Sequence, residues 1–206
     1  MVDIAARLPL IDSDLEDEEL GAVSPAPALP PEPRILPGLL RESGTFDEFA
    51  DYSGVTFTDD VVLRNIRFTK GFSFAGAVFQ GRVRFFGVAN ERTKGSRADF
   101  SGAKFHGSAQ FNQKSALYLG NFEGAEFGDT ARFQGCRFYA SANFDKAVFN
   151  ATANFKAATF NGSGNFSQVR FESIADFAAF HFGGCMGGGR SRGGRGRPVS
   201  GPNTRP

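Results

Sequence analysis

The two histidines, His106 and His181, and the two cysteines, Cys136 and Cys185, are the side chains best suited to metal ligation or nucleophilic chemistry, and their spacing supports neither. Each histidine adjoins a phenylalanine and has no cysteine or acidic pair at ligand distance along the chain, so no metal site is expected. The cysteines form no disulfide framework and are expected to be reduced. Cys136 sits two residues before Phe138, where the neighbouring repeats place a small side chain, so its expected role is packing. No phosphate loop, dinucleotide fingerprint or nucleophile elbow occurs. The expectation is a protein that is not an enzyme, with no catalytic residues and no cofactor.

Charge provides the other available chemistry, and it is segregated. Residues 1–56 hold 3 basic and 12 acidic residues, residues 57–182 hold 15 and 10, and residues 183–206 hold five arginines and no acid. In the last segment Arg190, Arg192, Arg195 and Arg197 stand among glycines and resemble RGG-type RNA-binding segments, which engage phosphates without sequence preference. No apolar run approaches the roughly 20 residues of a membrane span, and the first residues carry the acidic run Asp12 to Glu19 where a secretory signal has an apolar core. The expectation is a cytoplasmic protein with no membrane contact.

The elements that must position any such residues are set by phenylalanine. The chain has 25 Phe and no Trp, and from Phe122 onward Phe127, Phe133, Phe138, Phe144, Phe149, Phe155, Phe160, Phe166, Phe171, Phe177 and Phe182 alternate steps of five and six residues. An earlier run goes Phe46, Tyr52, Phe57, Leu63, Phe68, Phe74, Phe79, Phe85. An 11-residue period also suits a right-handed coiled coil. Here, however, Phe, Thr, Asn and Gly dominate while Leu, Glu, Lys and Gln are scarce, which disfavours helix. Short extended pieces broken by a turn every five or six residues, wound into a solenoid, fit better. The residue two before each aromatic is mostly Ala, Gly or Cys, as at Ala77, Ala103, Ala125, Cys136 and Ala147. In extended chain these two share a face, so ring and small side chain enter one narrow interior. Asp99, Asn121, Asn143, Asn154, Asn165 and Asp176, between them, are expected on the solvent face.

Ala98-Asp99-Phe100-Ser101-Gly102, Ala50-Asp51-Tyr52-Ser53-Gly54, Ala142-Asn143-Phe144-Asp145-Lys146 and Ala153-Asn154-Phe155-Lys156-Ala157 carry a small residue, Asp or Asn, an aromatic and two variable residues. In this the chain resembles the pentapeptide-repeat proteins. The resemblance implies an all-β fold, a right-handed quadrilateral β-helix; this sequence departs from the family pattern by a sixth residue in every second unit, giving 22 rather than 20 residues per coil. It also brings in a second function class. Some members of that family are DNA mimics that bind type II topoisomerases, a role that depends on an acidic, elongated, usually dimeric rod.

The expected organisation is a disordered acidic and Pro-rich segment at 1–43, a β-helix of about six coils at 44–182 and a disordered Gly/Arg-rich tail at 183–206. Ile35, Leu36, Leu39 and Leu40 are expected to cap the first coil. The rhythm breaks twice. After Phe85 the aromatic position falls on Asn90 and the next aromatic is Phe100, which makes 91–97 a projecting loop; between Phe111 and Phe122 the aromatic is replaced by Ala116, which makes 112–119 an irregular coil. Loops on a rigid scaffold favour recognition, so Glu91, Arg92, Lys94, Arg97, Lys114 and Tyr118 are the candidate partner-binding residues. The expected function is a structural or protein-interaction scaffold with a protein partner. The alternatives are topoisomerase-binding DNA mimicry, or nucleic-acid binding through the basic repeat surface and the tail. An open last coil also predicts a weak homodimer.

Overall fold

The computed structural model describes residues 34–183 apart from 94 and 113, and among these it contains 25 β-strands and no helix. Lys94, Cys185, the acidic N-terminal segment and tail residues Arg190, Arg192, Arg195 and Arg197 lie outside the described residues. Every strand pairing is parallel, and the usual step between partners is 22 residues, as from Thr56 to Val78 and from Glu126 to Val148. The step from Val78 to Lys104 is 26, the four extra residues lying within the 91–97 interruption. Parallel pairing at a constant step makes a β-solenoid, each coil bonded only to the coils before and after it.

Four strand ladders give the coil four faces. The first runs from Ile35–Leu36 through Thr56–Phe57 to Arg170–Phe171, and the second from Leu39–Arg41 through Val61–Arg64 to Ala175–Asp176, each with seven strands. The third, from Gly44–Phe46 to His181–Phe182, and the fourth, from Ala50–Asp51 to Ser163–Asn165, merge into one 11-stranded sheet. They merge because Ala116–Asn121 and Arg137–Asn143 continue around the corner between them.

The solenoid begins earlier than the aromatic rhythm. Residues 35–40, expected as a cap ahead of a boundary at 44, fall with Arg41 in the first two strands and the turn between them: Thr56 N–H donates to Arg34 O at 2.9 Å and Thr58 N–H to Leu36 O at 3.0 Å. Ladder pairing uses only backbone groups, so these residues join it without an interior ring. Seven rungs on a face replace the six coils expected.

The alternation of five and six residues is an alternation of corners. Most five-residue steps close in a tight turn, with Phe74 O accepting from Ala77 N–H at 3.0 Å and Phe133 O from Cys136 N–H at 3.0 Å. The third residue of the turn needs positive φ, and Gly76, Gly102 and Gly124 adopt it at 62° to 64°. In later coils Lys146, Ala157, Gln168 and Ala179 take that place at φ 53° to 58°. The six-residue steps lack this turn, and the extra residue widens the other two corners.

Inside, rings stack rung upon rung. On the first face Phe57, Phe79, Phe105, Phe127 and Phe149 follow one another at 5.3, 4.8, 4.7 and 4.6 Å between centroids, tilted by no more than 8°. On the fourth, Phe100, Phe122, Phe144 and Phe166 stack at 4.9, 4.8 and 5.1 Å. Rings of adjacent columns meet edge to face, as Phe122 and Phe133 do at 87°. The small residues make room: at Gly120 an added Cβ would lie 2.9 Å from the Phe138 ring.

On the outer side of the fourth face the Asx residues form a ladder. Asn121 Nδ2 donates to Asp99 Oδ1 at 3.1 Å, Asn143 to Asn121 at 3.3 Å and Asn165 to Asn143 at 3.0 Å. Each also receives the N–H two residues on, fixing the approach to the turn. Asp99 points outward as expected but is only 7% exposed, because Arg97 at 3.5 Å, Ser101 and Asn121 cover its carboxylate.

Truncating a central ring removes contacts with its own column and its neighbours. Phe144→Ala is expected to cost about 3–5 kcal/mol, and Phe177→Ala, on the last coil and 38% exposed, clearly less. Urea denaturation of both variants checks this; equal losses would refute the register.

Candidate recognition patch on the third face

One interior column does not hold its pattern. On the third face Phe46 and Phe68 stack at 4.9 Å and Phe138 and Phe160 lie 4.6 Å apart, but Asn90 and Leu117 stand between the two pairs. Asn90 pairs in register with Phe68, so its side chain takes the place of a ring, and it is 5% exposed. A primary amide buried among rings is costly unless it is hydrogen-bonded. Here both ends are: Asn90 Nδ2 donates to Ser96 Oγ at 3.0 Å, and Asn90 Oδ1 accepts from Tyr118 N–H at 2.8 Å. Ser96 belongs to the 91–97 insertion and Tyr118 to the irregular coil. The two breaks in the repeat are therefore joined through one side chain.

The irregular coil gains a residue and returns it. Ala89 pairs with Ala116, 27 positions on; Ala116 pairs with Arg137, 21 positions on; and the register shifts between Leu117 and Leu119. The extra residue displaces the interior slot, so fully buried Leu117 fills it, not Ala116 as the spacing suggested. Ser115 then occupies the small-residue slot, where its hydroxyl donates to Phe85 O at 2.9 Å and its carbonyl lies 3.7 Å from Cys136 Sγ. Burial pushes the Cys136 thiol up to about 12, which leaves it protonated and inert.

Outside this polar core lies a cleft of about 370 Å3, lined by Arg67, Asn90, Glu91, Arg92, Thr93 and Tyr139 among others. Glu91 N–H donates to Phe68 O at 2.9 Å, and its carboxylate lies 3.8 Å from Arg67. The Arg92 guanidinium stacks on Tyr139, 3.3 Å from the ring centroid, a cation–π contact. A hydrogen bond from Arg137, together with the charges of Arg92 and Arg137, holds the Tyr139 phenol below its ordinary value against the opposing effect of burial.

Of the residues singled out by sequence, the structure brings Glu91 and Arg92 into the cleft and ties the Tyr118 backbone to Asn90. Arg97 turns instead to Asp99 on the fourth-face ladder. Lys114 is exposed on the corner between the second and third faces. Arg67, Arg137 and Tyr139 were not singled out, since what places them is how many coils separate them from the insertion. His106 and His181 are exposed on the outer sides of the first and third faces.

Comparison with known proteins finds no family model, no curated protein and no solved structure that matches the chain. The fold itself is a parallel β-solenoid of seven rungs, consistent with the pentapeptide-repeat resemblance of its motifs.

If Asn90 joins the two breaks, Asn90→Ala leaves Tyr118 N–H and Ser96 Oγ without that partner, at an expected cost of about 1–3 kcal/mol. Tryptic cleavage after Arg92 and Arg97 should accelerate in the variant before the rest of the solenoid is cut. Unchanged cleavage would show that the loop is held without Asn90.

Proposed function

We propose that the chain is a non-catalytic scaffold, a rigid solenoid that presents a protein-recognition patch on its third face. The observation that carries this reading is the hydrogen bond from Tyr118 N–H to Asn90 Oδ1, 2.8 Å, which draws both interruptions of an otherwise uniform repeat into one place. Drift in a repeat array has no reason to connect its two irregularities through a buried amide, whereas a presented surface requires a fixed base. Among the described residues, the cleft above it contains cations, a phenol and one carboxylate held near Arg67, but no paired acid and base. That supports recognition over catalysis.

Charge placement supports the scaffold over mimicry of DNA at a topoisomerase. The outward ladder of the fourth face reads Asp51, Ser73, Asp99, Asn121, Asn143, Asn165, so its carboxylates are separated by neutral residues. Arg84 and Arg132 lie on the second face and Arg67 and Arg137 on the third.

A capture experiment from the host lysate, nuclease-treated and read by mass spectrometry, tests the scaffold role. It compares the full chain with Arg92→Gln/Tyr139→Ala and with a first-face control, Arg170→Gln. The expected result is a protein retained by the wild type and the control and lost from the patch variant. Equal recovery by all three, or recovery abolished by nuclease alone, would overturn it.

The last described coil carries exposed Ile174, Phe177 and Phe182. This supports a weak homodimer through that edge. Light scattering should show a concentration-dependent dimer, reduced in Phe182→Asp; a monomer at every concentration would refute it.

A further inference from the structure

The cations on and beside the third face differ in what they face. Lys70 pairs with Glu48, Arg67 with Glu91 and Arg97 with Asp99. Among the described residues no carboxylate lies within ion-pair distance of Arg92, which lines the cleft, or of Arg137, which adjoins it through Tyr139; both are turned to that phenol. Stacking engages the flat face of the Arg92 guanidinium, and beyond its contact with the Tyr139 hydroxyl the in-plane N–H donors can meet an oxyanion edge-on. Packing against the ring also fixes the side chain's direction, so little rotamer freedom is lost when a ligand arrives.

We propose that this cleft is a docking pocket for an acidic segment of a partner polypeptide, with a carboxylate received between Arg92 and Arg137. The inference rests on the scaffold reading and names the chemistry of the partner. Charge complementarity selects the occupant. A nucleic-acid strand carries phosphates at regular intervals and is held by a track of cations. Here, among the described residues, Arg67 in the cleft is matched by Glu91, and two arginines without a carboxylate partner converge on one phenol. That distribution suits a short acidic stretch. Glu91 at the rim disfavours carboxylates placed away from the arginine pair, which gives the pocket register as well as sign.

The test is fluorescence anisotropy of a labelled oligoglutamate peptide with the full chain at low ionic strength. Oligoglutamine and oligo-dT serve as comparison probes. Expected is saturable, salt-sensitive binding of oligoglutamate, with no binding of oligoglutamine and weaker binding of oligo-dT. Arg92→Gln and Arg137→Gln should each weaken oligoglutamate binding about tenfold, the loss of one charge-assisted contact, and Arg170→Gln should leave it unchanged.

A second measurement needs no variant. A carboxylate seated beside Tyr139 offsets the arginine charges, so the peptide should raise the pH at which the phenol ionises in an ultraviolet difference titration. No peptide binding, equal binding by the arginine variants, or tighter binding of oligo-dT than of oligoglutamate would each overturn the proposal. A partner captured through the patch by a chain that fails to bind oligoglutamate would leave the scaffold standing and remove only the acidic pocket.

Discussion

Parallel strands hydrogen-bond at a spacing of about 4.8 Å, and flat rings stack at nearly the same distance; the rest of this molecule follows from that coincidence. Centroid separations of 4.6 to 4.9 Å along the best-ordered columns show backbone and side chains advancing together. Once one coil carries a ring at a given corner, the next coil fills the same space best with a ring in the same orientation. The small residue two positions earlier leaves room for it. A single aromatic type therefore recurs through the chain, and a larger indole, for which these slots leave no room, is absent.

The same coupling makes any departure from the pattern a local problem to be solved by the adjoining rungs. Asn90 occupies the place of a ring between Phe68 and Leu117, and a bare amide there would be destabilising. Ser96 satisfies one end and the Tyr118 backbone the other, and both partners come from segments that themselves break the repeat. The insertion supplies the chain length to fold Ser96 back into the interior. The shifted register of the next coil supplies the free N–H. Their outward consequence is a rigid base carrying Arg92 against Tyr139, a contact between residues two coils apart that neither break would produce alone.

Legibility in the sequence followed this division. Regular coils announced themselves through Phe at alternating five and six residues and small residues two before, because both are demands of a shared interior. The insertion at 91–97 and the irregular stretch at 112–119 were visible as interruptions. What stayed hidden depended on backbone or on three-dimensional stacking. Residues 35–41 extend the ladders without an interior ring, so their coil leaves no aromatic mark. Leu117 rather than Ala116 fills the core because the extra residue precedes it, and spacing alone does not place that residue. Tyr139 follows a regular Phe138 and looks like any outward position until the coils are stacked and Arg92 falls on its ring. Asp99 reads as a solvent residue in its repeat and is buried by Arg97, which the neighbouring insertion brings over it.

The turns suggest that the coils are not equally strong. In the coils of Gly54, Gly76, Gly102 and Gly124 the turn after the fourth face places glycine at positive φ, whereas Lys146 and Gln168 occupy that turn further on. The turn after the second face begins with Asn65, a residue that tolerates this conformation, and then changes in the same direction, from Gly87 and Gly135 to Ala157 and Ala179. A side chain in that conformation costs about 1–2 kcal/mol, so strain gathers in the last coils, where Phe177 and Phe182 are also exposed rings. Because each coil is bonded only to its neighbours, opening that starts there must pass Phe160 and Phe138 in turn before it reaches Leu117 and Asn90. The patch thus lies in a part of the solenoid separated from that end by rungs whose rings are fully buried. The buried hydrogen bonds of Asn90 need that separation, since fraying of one adjacent coil would expose its amide and release the loop that carries Arg92.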